Sequence, residues 1–442
     1  MLIDVEGKYL LMIKEINNWI KKNEELILNT ISELIQIKTE NNPPTGNEKP
    51  GQEYLYNFIS KFIPEKNIDM FEIDDVKGIR EHPMFFPTVD GKERIYKGRP
   101  NLVAKLKGSN SKKSLLFSGH MDVMPVKEKE WKVFPDPFSG KIKNGKLYGR
   151  GSMDMKAGTM AGFFAIKCLK DLAVNLKGDI FAESVIDEEN GGVNGTVAAR
   201  LRYPGIDFAI LPETSDMMAG VETIGGSDWK ATVDVQGPGG FGFGLELPNP
   251  IYKLSKIALA LEKYDKVLKG IKASKNYKTE QFIRLLTFQL HSGGSNYQES
   301  GAVPTNGHIY FWLETFADMN ENEAKNKFLN FMRNELKPHK DFEDDFPKFE
   351  TVIRFLEGHR TDINHEAIKS IRKSFSEINL DYKECGLGIA CDAFAFKKVG
   401  GTEVVVIGPK GENPHGIDEN VEIKDILDLI KIMALTAIDY CG

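Results

Sequence analysis

Between residues 101 and 211, short apolar segments alternate along the chain with segments of helical periodicity. The apolar segments are residues 101–107, 114–118, 179–186 and 208–211, and the helical segments are residues 157–172 and 196–202. Strands and helices that alternate at this spacing are typical of an α/β sheet with parallel strands. The sequence therefore predicts an α/β fold, in which polar side chains of distant segments can meet where the strands end.

The pattern changes near residue 226 and changes back near residue 351. Between these points, residues 229–236 and 305–315 are strand-like, and residues 251–264 and 321–336 are helical, which predicts a small α+β unit. We therefore predict one α/β domain that is interrupted by an inserted α+β domain. The expected boundaries are 1–227 for the first part, 228–350 for the insertion and 351–442 for the second part.

Composition excludes several classes of function. The formal net charge of −6 provides no basic field that would hold nucleic acid or an anionic membrane. No window of the sequence has 18 consecutive apolar residues, so we expect no membrane span. Four cysteines without a CxxC pair argue against a disulfide scaffold and a thiolate zinc site, and they favour a reducing, cytoplasmic location.

A set of imidazoles and carboxylates follows the predicted strands or precedes a helix. The candidates are His120, Asp154, Glu188, Glu189, Glu213 and His415. The end of an open α/β sheet is where ligands bind, and nitrogen and oxygen donors without cysteine favour a catalytic divalent metal ion. Taken alone, a histidine is more often a surface or core residue than a ligand, and an Asp-Glu-Glu run is usually a solvated turn. The prediction therefore rests on the joint occurrence of the candidates along one chain.

Five segments that contain these residues resemble one family. SGHMDVMPV, YGRGSMDMKAG, IDEENGG, LPET and PHGIDENVEI are together similar to the zinc amidohydrolases that include acetylornithine deacetylase, succinyl-diaminopimelate desuccinylase, aminoacylase-1 and carboxypeptidase G. The resemblance implies a zinc-peptidase-like catalytic domain with a mixed sheet. It also implies that the insertion is a lid domain of the dimerisation type, through which such chains often form homodimers.

The resemblance assigns metal ligands to the matching positions. Asp154 would bridge two divalent metal ions. We expect these ions to be zinc, with cobalt and manganese as alternatives. Glu189 and His415 would complete one metal site, and His120 and Glu213 would complete the other. A shared carboxylate between two ions about 3.5–4 Å apart is the usual geometry of two-metal hydrolases.

The resemblance also assigns catalytic roles. Glu188 would be the general base that activates the water between the metals, and Asp122 would orient the imidazole of His120. Asp392, in the segment Cys391-Asp392-Ala393, falls where the family has a short motif near the substrate, although this match is weaker.

The inserted domain departs from the family pattern at two points. Phe241 stands where the family usually has a histidine that reaches the substrate oxygen, and Glu314 lies in a segment where an arginine is common. A lost oxyanion donor typically lowers the rate a hundredfold or more, and His291 is one candidate to replace it.

The predicted function is hydrolysis of an amide bond in an N-acyl amino acid or a short peptide. Residues 82–87 and 98–101 look more like the deacylases of the family, which favours an acylated small molecule as substrate. Two alternatives stay open. The first alternative is a dipeptidase or carboxypeptidase that acts on small peptides. The second is a weakly active or non-catalytic metal-binding relative, because Phe241 replaces the histidine.

Overall fold

The computed structural model describes residues 5–110, 113–126, 130–237, 239–244, 246–278, 280–299, 301–343 and 345–442, without the side chains of residues 5–8 and 297. Pro238, in the glycine-rich segment of residues 237–244 that contains Phe241, lies outside the described residues. Within this part of the chain, no helix combines the length and the apolar character that crossing a membrane requires.

The α-helices begin and end as follows: α1 Val5–Gln36, α2 Lys49–Ile59, α3 Ala157–Asp171, α4 Asn194–Arg202, α5 Pro250–Lys269, α6 Glu321–Leu336, α7 Glu366–Glu377, α8 Ala393–Ala395 and α9 Ile423–Cys441. Short 3-10 helices span Glu65–Asn67, Ile73–Asp75, Tyr297–Glu299 and Lys340–Phe342, and π-helical turns span Ser152–Lys156 and Phe396–Gly400.

The strands are β1 Ile68–Glu72, β2 Thr88–Val89, β3 Lys92–Glu93, β4 Pro100–Leu106, β5 Ser114–His120, β6 Lys141–Lys143, β7 Lys146–Tyr148, β8 Asp179–Val185, β9 Phe208–Leu211, β10 Ala219–Thr223, β11 Gly225–Asp234, β12 Leu285–Ser292, β13 Asn306–Thr315, β14 Lys348–Thr351, β15 Glu384–Leu387, β16 Glu403–Val406, β17 Gly411–Glu412 and β18 Asn420–Glu422.

The chain divides into two compact units. The first unit contains Met1–Val221, Thr361–Cys385 and Asp392–Gly442, and the second contains Glu222–Arg360 and Gly386–Cys391. The insertion predicted at residues 228–350 falls inside the second unit, which extends beyond it on both sides. The short return of the chain at Gly386–Cys391 had no signal in the sequence, because it is defined by long-range contacts.

An eight-stranded mixed sheet has the order β1-β4-β8-β5-β9-β16-β10-β15. Its central strands β8, β5, β9 and β16 run parallel, and the pairs that β4 forms with β1 and β8 are antiparallel. The sequence predicts the parallel centre, and the antiparallel flanks make the sheet mixed. The core against this sheet contains α3, which is buried on nearly all sides because small residues such as Ala157 and Gly158 dominate its first turns.

The parallel centre decides where the polar segments meet. β5 ends at His120, β8 ends just before Asp187, and β9 ends just before the turn that carries Glu213. Since β5 pairs in parallel with both neighbours, the carboxyl ends of all three strands lie at one edge of the sheet.

A smaller sheet of the first unit, in the order β17-β18-β7-β6, brings two distant segments of the chain together. Asn420 of β18 pairs with Tyr148 of β7, and the backbone N–H of Gly149 donates to the carbonyl of Glu419 at 3.0 Å. This pairing therefore holds the turn before α3 next to the turn before β18.

The second unit is an antiparallel sheet in the order β12-β13-β11-β14, with α5 and α6 in its hydrophobic core. β11 and β13 alternate buried and partly buried residues, so one face of the sheet packs into the core. Strand β12 lies at the edge and keeps several large apolar side chains exposed, among them Phe288 at 60%.

Candidate metal centre

The structure brings the predicted ligands of the sheet edge together around Asp154. The Nε2 atom of His120 lies 3.1 Å from Asp154 Oδ1 and 3.3 Å from Glu213 Oε1. Glu213 is held close to the sheet by Gly408, where a Cβ atom would lie 2.2 Å from the carbonyl oxygen of Glu213. His120, Asp154 and Glu213 thus form one half of the cluster.

The other half uses the second oxygen of Asp154. The Nε2 atom of His415 lies 3.0 Å from Asp154 Oδ2 and 2.8 Å from Glu189 Oε2. The remaining oxygen of Glu189 accepts a hydrogen bond from the backbone N–H of Met124 at 3.1 Å. Each oxygen of the Asp154 carboxylate therefore faces a different imidazole, which is the arrangement of a carboxylate that can bridge two cations.

The two halves differ in their access to solvent. The His120 side chain is 1% exposed, whereas the His415 side chain is 48% exposed. His415 also has a φ of 58°, in the left-handed region that non-glycine residues rarely adopt, as is common where surrounding contacts fix a functional turn.

Asp122 makes different contacts from the one we expected. The Nδ1–H of His120 donates to the backbone carbonyl of Asp122 at 2.9 Å, while the nearest carboxylate oxygen is 3.7 Å away. The Asp122 Oδ2 atom accepts instead from the Asn41 amide at 2.8 Å and from the backbone N–H of Glu189 at 3.0 Å. The carbonyl thus fixes the tautomer that leaves Nε2 of His120 able to bind metal, and the carboxylate holds the Glu189 turn.

Burial and mutual charge perturb the acids and the histidines of the cluster. Burial raises the pKa of Glu188 well above its ordinary value, although the charge of His120 lowers it, and burial also raises the pKa of Glu213 to about 7. The charge of Glu189 is the main cause that raises the pKa of His415 to about 12. For Asp154, burial opposes ionisation, but hydrogen bonds from the two histidines outweigh it and lower the pKa below its ordinary range.

An ion pair that we did not predict connects the Asp154 turn to the His415 turn. Arg150 donates to Glu419 at 2.8 Å and to the backbone carbonyl of His415 at 2.9 Å. The other oxygen of Glu419 accepts from the backbone N–H groups of Met153 and Asp154. Arg150 lies inside the motif YGRGSMDMKAG, and Glu419 lies inside PHGIDENVEI. The presence of opposite charges in these two motifs was the only sequence signal that could have indicated the pair.

Asp392 is buried near the cluster. Its Oδ2 atom accepts a hydrogen bond from the Thr196 hydroxyl, and burial raises the pKa of its carboxyl to about 6. The charge of Asp392 in turn raises the pKa of Glu188 and that of Glu213. This electrostatic coupling puts Asp392 in the same environment as the proposed ligands.

The donor set fits divalent metal ions. Two groups of potential ligands, His120 with Glu188 and Glu213, and His120 with Asp154 and Glu189, have their ligand atoms within 4.8 Å of one another. The buried carboxylates repel one another unless positive charge is added, and nitrogen and oxygen donors suit zinc, cobalt or manganese. The distances alone leave Glu188 able to be a ligand as well as a base.

The residues at which the sequence departs from the family all belong to the second unit. Phe241 is 72% exposed, in the segment between β11 and α5. The ring of His291 on β12 lies 5.5 Å from the ring of His308, its cross-strand partner. Glu314 accepts from the backbone N–H of Arg284 at 2.6 Å.

A mixed α/β sheet with imidazoles and carboxylates gathered where its parallel strands end defines the class of metal-dependent hydrolases. The sequence model of peptidase family M20/M25/M40 matches residues 116–439, and the chain belongs to this family. The family resemblance of the sequence motifs is therefore confirmed.

Curated relatives that match the chain are enzymes, as we predicted for this protein. Over 126 residues, the chain is 47% identical to an N-formyl-4-amino-5-aminomethyl-2-methylpyrimidine deformylase of Bacillus subtilis. That match covers 28% of the chain and 29% of the deformylase, and a second such deformylase, of Halalkalibacterium halodurans, is matched over 42% of its length. A succinyl-diaminopimelate desuccinylase of Psychromonas ingrahamii is 27% identical, with 72% of the chain and 81% of the relative covered.

Solved structures confirm the fold class. A dipeptidase of Saccharomyces cerevisiae superimposes with a TM-score of 0.74 at 15% identity, with 97% of this chain and 98% of that chain covered. A dinuclear metal-binding peptidase of Bacillus subtilis, from the same family, gives a TM-score of 0.60 at 12% identity, with 95% and 99% covered. At these identities the likeness shows the fold alone.

Proposed function

We propose that this protein is a metal-dependent hydrolase that cleaves the amide bond of an N-acylated small molecule, such as an N-acyl amino acid. The observation that carries the proposal is the Asp154 carboxylate, whose two oxygens lie 3.1 Å and 3.0 Å from the Nε2 atoms of His120 and His415. This geometry suits two divalent cations, zinc first and cobalt or manganese as alternatives.

In this proposal Asp154 would hold both cations, Glu213 and His120 would complete one site, and Glu189 and His415 would complete the other. When bound, the cations supply Lewis-acid polarisation of the scissile carbonyl. Glu188 takes a proton from the attacking water and delivers it to the leaving nitrogen. Its carboxylate lies 3.9 Å from His120 Nε2, beside the proposed ligands, which is the location that a general base for this water needs.

The acyl group is proposed to be small. The sequence relatives are named as a deformylase and a desuccinylase, both of which remove an acyl group from an amine. The structural neighbour named as a dipeptidase supports the second candidate, hydrolysis of short peptides, through its similar fold. Both reactions break an amide bond, so the same proposed base and ligands serve either one.

A weakly active enzyme is a third candidate, because Phe241 cannot donate a hydrogen bond to a developing oxyanion. A histidine is common at this position in the family that the sequence resembles. If the donor is lost, Phe241→His should raise turnover of a simple N-acetyl amino acid, since one such donor is typically worth on the order of a hundredfold. Unchanged turnover would mean that another group, such as His291, supplies the donor.

We also propose that the protein forms a homodimer through the second unit. Edge strand β12 exposes the apolar side chains of Leu286, Phe288 and Leu290, and an exposed apolar edge readily pairs with a second copy. All four cysteines are buried thiols, which supports the proposed cytoplasmic location.

The test is a panel of N-formyl, N-acetyl and N-succinyl amines and amino acids together with dipeptides, assayed with zinc, cobalt or manganese. We expect hydrolysis of at least one acylated amine, loss of activity with a chelator and recovery on adding metal. Turnover of dipeptides alone would favour the second candidate. Hydrolysis of nothing in the panel, by protein that carries metal, would overturn the proposal.

A further inference from the structure

Residues 74–100, which the sequence indicates only as an irregular loop, carry side chains that reach the turn of the proposed base. Arg94 donates from Nη1 to Asp187 Oδ1 and from Nη2 to the backbone carbonyl of Asn190, both at 2.7 Å. Its Nε donates to the carbonyl of Thr88 at 3.1 Å. One guanidinium therefore holds the chain on both sides of Glu188.

Tyr96 holds the second oxygen of the same carboxylate. Its hydroxyl donates to Asp187 Oδ2 at 2.6 Å and accepts from the Asn194 amide at 2.6 Å. The side chains of Arg94 and Asp187 are 2% and 1% exposed, and Tyr96 is buried as well. Hydrogen bonds of charged groups are strong, and these are shielded from water, so they fix the Asp187 side chain firmly.

The backbone at Asp187 needs such support. Its φ of 66° lies in the left-handed region, which residues other than glycine adopt only where their surroundings hold them. The turn is also tight, because a Cβ atom on Gly192 would lie 1.7 Å from Asp187 Oδ2. A strained, tight turn persists only where its surroundings hold it, and here Arg94 and Tyr96 provide those contacts.

Glu188 depends on this turn for its position. Among the described residues, no side chain donates a hydrogen bond to its carboxylate, which lies 3.9 Å from His120 Nε2. The location of the proposed base is therefore set by the backbone of residues 187–190 and not by contacts of its own.

We propose that Arg94 and Tyr96 are positioning residues for Glu188: they hold the Asp187–Asn190 turn so that the carboxylate of the base faces the metal ligands. The inference rests on the proposed function, because it takes Glu188 as the base. It adds residues from a loop that contributes no ligand and no catalytic group.

The kinetic test compares Arg94→Gln and Tyr96→Phe with the wild type on the substrate found in the panel above. A base that is misplaced by about 1 Å can cost on the order of a hundredfold in rate. We expect kcat to fall about ten- to hundredfold for Arg94→Gln and less for Tyr96→Phe, with KM within about twofold and metal content unchanged. Arg80→Gln is the matched control, because Arg80 lies in the same loop but pairs with Asp74 and Glu93.

A double variant separates positioning from a general structural role. In a Glu188→Gln background, Arg94→Gln should lower the residual turnover no further, because the group it positions is already gone. A further fall by the same factor as in the wild type would overturn the inference. Tyr96→Phe keeps the ring and loses only the hydroxyl, so it carries the test if Arg94→Gln does not fold.

Hydrogen exchange gives a readout without catalysis. The N–H groups of Gly191 and Val193 donate to the carbonyls of Glu188 and Asp187 at 2.8 Å and 2.9 Å. Exchange at these amides should become faster in Arg94→Gln and Tyr96→Phe and stay as in the wild type in Arg80→Gln. Unchanged exchange would overturn the inference whatever the activity. Faster exchange in a protein that hydrolyses nothing would support the positioning and reject the proposed function alone.

Discussion

The two units of the chain bury different chemistry. The first unit buries four arginine–carboxylate pairs whose side chains are at most 3% exposed: Arg94–Asp187, Arg99–Glu48, Arg150–Glu419 and Arg200–Glu183. The second unit buries an aromatic cluster around Phe328, and in each of its described ion pairs at least one partner is exposed, as in Lys263–Glu335.

This difference indicates that buried ion pairs position turns in the first unit, whereas apolar packing stabilises the second unit. A buried ion pair is weak as a source of stability, yet removing one partner typically costs about 3–5 kcal/mol because the other charge stays buried. Two of the pairs in the first unit hold turns of the proposed metal centre, which explains why charge is buried there. The second unit has no such need, and its core follows ordinary apolar packing.

The largest expected effect comes from the proposed base. Glu188→Gln should lower kcat by about 10²–10⁴-fold, because a general base contributes that much, while both metals stay bound. Kinetics and elemental analysis check this, with Glu262→Gln, at an exposed residue of the second unit, as control. Loss of metal in Glu188→Gln would instead make Glu188 a ligand and would leave the base unassigned.

The next effect should be on stability, without any on metal binding. Phe328 is fully buried, and its ring lies 5.4 Å from each of Trp229, Tyr264 and Phe311. Phe328→Ala should lower the free energy of unfolding by about 3–5 kcal/mol, through lost contacts and a cavity. Denaturant unfolding measures this, with the exposed Leu259 changed to alanine as control. A large loss of bound metal in Phe328→Ala would break the separation of roles between the units.

A smaller effect should appear in the proposed dimer. Phe288→Lys on edge strand β12 should raise the dimer dissociation constant about ten- to hundredfold, because a lysine charge replaces buried apolar area. Analytical ultracentrifugation checks this. Met70→Lys is the matched control, since Met70 is an exposed apolar residue on β1, an edge strand of the first unit's sheet. If both variants weaken the dimer equally, the interface does not lie at β12.

The smallest effect concerns pH. Burial raises the pKa of Asp228 to about 6, so between about pH 4 and pH 6 the folded state holds a proton that the unfolded state has released. Stability from this group is therefore lost as pH rises through that window. Asp228→Asn should be more stable than the wild type at pH 7 by roughly 1–2 kcal/mol and equal to it near pH 3. Asp234→Asn at the exposed end of the same strand is the control, and a pH-independent difference would contradict the assignment.

Local pattern predicted most of the elements in the fold. Strand β9 at Phe208–Leu211 and helix α6 at Glu321–Leu336 have the predicted bounds, because apolar content and periodicity are properties of neighbouring residues. Strand β12 was not predicted although Leu286, Phe288 and Leu290 alternate with polar residues, and β1 was hidden in a segment that contains charged residues.

For the site, the sequence supplied the ligand candidates, and the structure brings all of them together. It did not supply the contacts that hold them. Arg94 lies far from Asp187 along the chain, in a loop with no periodicity, and nothing local indicates that its guanidinium is buried. The contacts of Asp122 differ from expectation for a related reason. Which atom faces His120 depends on how the strand ends, and residue type alone does not determine this.

The order of the large sheet has a consequence for how the protein is made. Strands β9 and β10 are close along the chain, but β16 lies between them, and it pairs in parallel with β9 from Glu403 to Val406. The ribosome synthesises the whole second unit before β16 emerges, on the order of tens of seconds later at typical rates. Until then β9 and β10 lack the strand that lies between them in the finished sheet. His415 and Glu419 follow β16, so the side chains of the proposed metal centre are complete only at the end of synthesis.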